Sequence, residues 1–293
     1  SDPTNRCAQC HGEEGFLDII LNGEAAEEGY TNPTTIFCTT CHSDHDTFDF
    51  ENDGQDYALV NDYAQSLRLD PSITLDFGGS SNNCISCHQP RTSYVIPAEN
   101  GTGEYDLATT RFGPHHSPQA SMLEGVLGVM IPGGVGYPAR ASATHRTGAS
   151  CVACHMGESS DTSEGMHSWK PTESACIQCH PSGAPDELGG YTTGMATLKS
   201  LLANVVGQEV ELDAEGDPVL DVDGNLIPTG GTITGIIIDV PEPDRSQYGI
   251  FTTIQAQAAW NYKTLLEDQS RGIHNPAYSR ALLLNSIEAL ENE

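Results

Sequence analysis

Lysine is nearly missing from this sequence, with Lys170, Lys199 and Lys263 the only three among 293 residues. Nine arginines bring the basic total to 12 against 41 acidic residues, a formal charge of −29. Such a chain repels nucleic acid and anionic membrane surfaces, so neither is expected as a partner. Preference for arginine over lysine in an acidic chain points to a saline habitat; the simpler reading is the solubility of an exported protein. Long apolar runs are also absent. The nearest, Met122 to Ile131, is interrupted by Glu124 and two glycines and ends at Pro132, which excludes a bilayer-spanning helix there. Nor does any cysteine stand outside a single repeated pattern.

That pattern is Cys-x-x-Cys-His. It occurs at Cys7, Cys10 and His11; Cys38, Cys41 and His42; Cys84, Cys87 and His88; Cys151, Cys154 and His155; and Cys176, Cys179 and His180, consuming all ten cysteines. Two cysteines three apart share one side of a helical turn, where their sulfurs can add to the two vinyl groups of a haem. The adjacent histidine then meets the iron from that side. A disulfide scaffold or zinc knuckles would also use paired cysteines, but neither requires a histidine after the second cysteine every time. The pattern therefore predicts five covalently bound c-type haems.

The remaining histidines test this reading independently. After five proximal ligands (His11, His42, His88, His155, His180), six are left: His45, His115, His116, His145, His167 and His274. Five irons capped on both faces need five distal ligands, which leaves one spare, either His115 or His116. Neighbours in an extended segment point to opposite sides, so only one of that pair would reach an iron. His45 follows His42 by three residues and cannot reach the far face of its own haem, so it should serve an adjacent one in close contact. His167 lies between the fourth and fifth motifs and belongs to neither. Histidine on both faces gives six-coordinate, low-spin, low-potential iron with no open site for substrate. Arg91, just after the third motif, is a candidate partner for a haem propionate.

With 293 residues, each haem has about 59 residues to cover it, too few for five separate apolar cores. The haems must supply the core, packed against one another. The expected fold is a multihaem cytochrome, mostly irregular, with short α-helices around a haem stack, a small antiparallel β element and C-terminal helices. Residues 1–190 form the haem-binding region, in which 51–83 is a polar connector and 122–131 a haem-covering turn and short helix. Residues 191–293 form a cysteine-free lobe with a helix near 193–206, a β-hairpin insertion about 208–245, and two helices flanking Gly272-Ile273-His274-Asn275-Pro276. Asp221-x-Asp223-Gly-Asn225 has the start of a calcium loop but lacks its closing glutamate; a hairpin turn explains it better, and bound calcium is a minor alternative. Because c-type haem is attached outside the cytoplasmic membrane, the chain is expected to be an exported one whose leader has been removed, located at the cell surface, outside the cell or in the periplasm.

The five motifs, the string Cys38-Thr-Thr-Cys41-His42-Ser-Asp-His45, the Gly113-Pro-His-His116 segment and the helix–Gly-Ile-His-Asn-Pro–helix ending together resemble the multihaem c-type cytochromes. Within them the chain looks most like the extracellular cytochromes that polymerise into nanowire filaments of the OmcE/OmcS type, although five motifs depart from the four, six or eight haems familiar there. The resemblance implies electron transfer along a continuous haem chain that crosses subunits in a homopolymer, often with a distal histidine donated across the interface. The first motif lies near the start of the sequence with little chain to cover it, which suits such packing. Redox proteins or extracellular acceptors would complete the circuit. The same helix ending is shared with pentahaem nitrite and hydroxylamine reductases, so an enzyme is the alternative, as is a monomeric periplasmic shuttle. The lysine that replaces a motif histidine in those reductases is absent.

Overall fold

A computed structural model describes residues 3–43, 59–90, 95–238 and 244–293. The chain forms two compact units, Ser1–Gln89 with Gly148–Ala184, and Pro90–Thr147 with Pro185–Glu293. This division differs from the expected boundary near residue 190. Residues 90–147 associate with the C-terminal part, so the chain leaves the motif-bearing unit after the third motif and returns for the fourth and fifth. The cause is apolar side chains at Leu107, Phe112, Met122, Leu123, Val129 and Ile131, all buried in the second unit.

The first unit holds all five cysteine motifs. Helices α1 (Pro3–His11) and α2 (Glu13–Asn22) cross closely at Gly15, where a Cβ would come within 2.5 Å of the Ala8 backbone. Single helical turns follow at Cys38–Cys41, Ser81–Ile85, Cys151–His155 and Glu173–Ile177. The expected polar connector instead contains a small antiparallel pairing of Gln65–Ser66 with Thr74–Leu75, turned at Asp70, whose carboxylate accepts from the Ser72 amide at 3.0 Å. Among the described residues this unit buries only six apolar side chains, Ala8, Phe16, Leu67, Leu75, Phe77 and Ile85, and residues 148–184 contribute none.

The second unit has an ordinary core. Its antiparallel sheet runs in the order β1 (Glu104–Leu107), β4 (Gly249–Thr252), β2 (Val206–Val210), β3 (Pro228–Thr234). The expected hairpin insertion supplies β2 and β3, while the edge strand β1 comes from before the fourth motif, which alternation in the tail alone does not reveal. Beyond β2 the ribbon continues as two tight turns. Asp221 accepts from the amides of Asp223 and Asn225, each at 2.9 Å, so hairpin geometry accounts for the calcium-like string.

Three helices complete this unit: α3 (Tyr191–Leu202), α4 (Thr253–Asp268) and α5 (Pro276–Glu291). A capping box between Thr252 and Gln255 starts α4. Asn275 caps α5, with Pro276 in its first turn. Segment 122–131 does form a short helix and turn, but it covers α4 and α5. The Trp260 indole donates to the Leu127 carbonyl at 2.7 Å, and Asn261 exchanges hydrogen bonds with Val129 at 2.8 Å.

Candidate haem-binding site

Each motif takes the helical form that its spacing predicts. The amides of His42, His88 and His180 each donate at 2.9 Å to the carbonyl of the first cysteine of their own motif, closing one turn. His11 ends α1, and His155 ends the turn that begins at Cys151. Both sulfurs and the imidazole thus emerge from adjoining positions on one helical turn, the arrangement that covalent haem needs. All ten cysteines are unpaired by disulfides. Among the described residues no group of three or more His, Cys, Asp or Glu side chains is disposed to hold a metal ion, which zinc knuckles would require.

The surroundings fit haem as well. Phe37 precedes Cys38 and is 65% exposed, Met166 and Trp169 flank His167 at 52% and 56%, and Ile177 inside the fifth motif is 46% exposed. These are apolar surfaces beside cysteine turns in a unit with almost no core of its own, the demand a large apolar macrocycle would satisfy.

The motifs are ordered in space, and their order differs from that in sequence. Cys10 of the first lies against Cys87 of the third; as free thiols, their hydrogen bond would draw Cys10 down to about 6 and push Cys87 up. Arg68 joins them, its guanidinium 3.6 Å from Cys10 Sγ and 3.1 Å from Gln9 Oε1. Cys84, at the other end of the third motif, lies against Cys151 of the fourth in the same way, its thiol lowered and that of Cys151 raised. Ser81 and Ser150 hydroxyls, 2.9 Å apart, support that contact. Cys41 of the second motif is close to Asn83 and Cys84, although burial is the main cause of its raised thiol pKa. The fourth motif adjoins the fifth, where the Thr172 amide donates to Cys154 O at 3.0 Å and the Thr172 hydroxyl caps the Glu173–Ile177 turn. Thioether formation would remove these thiol protons; the paired shifts reflect how close the sulfurs lie. The third motif neighbours the first, second and fourth; the fifth extends the row.

Several histidines have a hydrogen bond that fixes the tautomer. A carbonyl oxygen only accepts, so Nδ1 of His155, 2.8 Å from Trp169 O, and Nδ1 of His145, 2.6 Å from Ile273 O, must carry the proton and place the lone pair on Nε2. Nδ1 of His274 donates to the buried Asp268 carboxylate at 2.7 Å; burial opposes charge on this ring, but Asp268 outweighs it and the pKa rises. Metal-ligating imidazoles characteristically carry such outer partners. The structure brings His145 and His274 together, because Ile273, whose carbonyl orients His145, immediately precedes His274. Asp268, Ile273 and Trp169 were not foreseen from sequence; two act through backbone carbonyls, which leave no mark in residue identity.

His115 and His116 do not alternate as an extended segment would. His116 takes φ +38°, which sets the two rings side by side with centres 4.5 Å apart. His115 is half-buried, and His116 is exposed with Nδ1 2.6 Å from Glu267. His167 lies near the second motif, its ring centre 6.1 Å from that of His42. His45 and Arg91 lie outside the described residues.

No family model matches the chain. In sequence it is similar to the C-type polyheme cytochrome OmcB of Geobacter sulfurreducens, 20% identical over 96% of this chain and 43% of that protein. C-type polyheme cytochrome OmcC of the same species is also 20% identical, over 96% of this chain and 42% of that protein. In fold it is similar to the crystal structure of the outer cell wall cytochrome OcwA, with a TM-score of 0.50 and 20% identity over 98% of this chain and 45% of that one. The chain therefore spans less than half the length of each of these proteins.

Proposed function

We propose that this multihaem c-type cytochrome moves electrons through five covalently attached haems, each anchored by one Cys-x-x-Cys-His turn and capped by a second histidine. One observation carries the reading: five such turns lie in one unit, side by side, in which few apolar side chains find protein partners. Bound haem supplies one-electron ferric–ferrous chemistry. The chain supplies placement.

Cys7, Cys10, Cys38, Cys41, Cys84, Cys87, Cys151, Cys154, Cys176 and Cys179 would hold the macrocycles. His11, His42, His88, His155 and His180 would be the proximal ligands, and His45, His145, His167, His274 and one of His115 or His116 the distal ones. Of that pair His115 is half-buried and His116 is exposed with Glu267 behind its Nδ1, and either could supply the ligand. Electrons would pass from the first motif through the third and fourth to the fifth, with the second motif branching from the third. Two histidines per iron hold the sites low-spin and favour the ferric state, so potentials should be low. On this reading the chain is an electron carrier without a substrate site.

The finer proposal is an exported chain that assembles with copies of itself into an extracellular conduit. The resemblance in motif pattern and the apolar surfaces beside the cysteine turns support it. Among the described residues no helix is long and apolar enough to cross a membrane.

Intact mass spectrometry together with carbon monoxide titration of the reduced protein tests the carrier reading. Five haem additions and no carbon monoxide binding are expected. An iron that binds carbon monoxide stoichiometrically would instead favour the reductase class. Negative-stain microscopy tests assembly, and particles of single-chain size under every salt condition would sink the filament.

A further inference from the structure

We infer that His167 is the distal ligand of the haem anchored by Cys38 and Cys41, opposite His42. The inference rests on the five-haem reading above and assigns one pairing that sequence order does not suggest, since His167 lies between the fourth and fifth motifs.

A ligating imidazole nitrogen sits about 2 Å from its metal and about 1.1 Å from its own ring centre, so two imidazoles on opposite faces of one iron have centres about 6 Å apart. The His42 and His167 ring centres are 6.1 Å apart, with the planes inclined by 49°. Two axial imidazoles are free to rotate about their shared metal axis, and that inclination is compatible with them.

Packing alone can space aromatic rings this way, but burial gives no reason for it here. His167 is exposed, and among the described residues 148–184 contribute no buried apolar side chain. The loop nevertheless holds it in a strained backbone. Met166 has φ +46° and Trp169 φ +55°, both in the left-handed region that such residues avoid. Gly165, at φ +64°, is pressed against the chain so closely that a Cβ would meet Gly157 O at 2.2 Å. Its amide donates to Lys170 O at 2.9 Å, closing a tight loop around residues 166–169.

The same loop already performs a ligand-orienting task, because Trp169 O accepts from Nδ1 of His155 in the fourth motif. One strained loop would thus orient the proximal ligand of the fourth haem and deliver the distal ligand of the second, tying two sites to a single element.

The test uses the full, haem-loaded chain. His167→Ala should leave five haems by mass, while one haem of five becomes high-spin in the ferric spectrum and, when reduced, binds carbon monoxide. Because His167 is exposed, this change removes no core contact. To identify the haem, Cys38→Ala is combined with it: the second haem then keeps one unsaturated vinyl group, and its absorption band shifts to the red. The red-shifted haem and the carbon monoxide-binding haem should be the same one. If His167→Ala leaves five low-spin haems, or the two marks fall on different haems, the pairing is overturned while five-haem electron transfer stands. A chain without covalent haem overturns both.

Discussion

At the scale of single residues, the histidines proposed as iron ligands are governed by what lies behind them. Asp268 is buried behind His274 and also accepts from Ser270. A carboxylate on Nδ1 makes the imidazole more electron-donating and holds its iron toward the ferric state. Asp268→Asn should therefore raise the potential of one haem without changing haem content, as spectroelectrochemistry will show. Gly165 makes a complementary case. Its positive φ and the lack of room for a Cβ predict that Gly165→Ala displaces His167 without touching it. A ferric high-spin component equal to that of His167→Ala is expected; an unchanged low-spin spectrum would mean the loop yields without moving the ligand.

At the scale of elements, α4 and α5 form the frame that presents His274 at the corner between them. Trp260 on α4 is fully buried, packs edge-on against Phe112 with ring centres 5.7 Å apart, and donates to Leu127 O. Trp260→Ala should cost about 3–5 kcal/mol, read as a lowered unfolding midpoint for this unit. Glu124, 3% exposed, receives Arg140 at 2.8 Å and Arg146 at 3.0 Å, which fixes the turn carrying His145. These helices were legible in advance because apolar periodicity, the Arg271-Gly272 break and the Asn275-Pro276 start are local signals. β1 was not, since a four-residue edge strand acquires its meaning only from β4 beside it.

At the scale of the whole molecule, the two units differ in what holds them together. The second has a packed core of aromatic and aliphatic side chains; the first has, among the described residues, six buried apolar side chains for five cysteine motifs. A chain produced where haem is not attached should show rapid amide exchange in 3–43, 59–89 and 148–184 and slow exchange in the cores of α4 and α5, measurable by hydrogen-exchange mass spectrometry. Equal protection in both parts would show that the first unit is stable without the cofactor. The charge of −29 acts at this scale also. Screening it should promote self-association, so light scattering is expected to rise with salt and divalent cation.

The Cys-x-x-Cys-His spacing marks the turns on which haem is proposed to be anchored and the side from which each iron would first be met, because that chemistry is written within five consecutive residues and survives any fold that lets them turn once. The sequence also determined that little apolar chain would remain to build a core around the cysteines. Which motifs are neighbours, the joining of residues 90–147 to the C-terminal unit, and the approach of His167 to His42 come from the folded chain. Those outcomes depend on segments distant in the chain, on backbone carbonyls and on a left-handed loop, none of which is encoded by residue type at a fixed spacing.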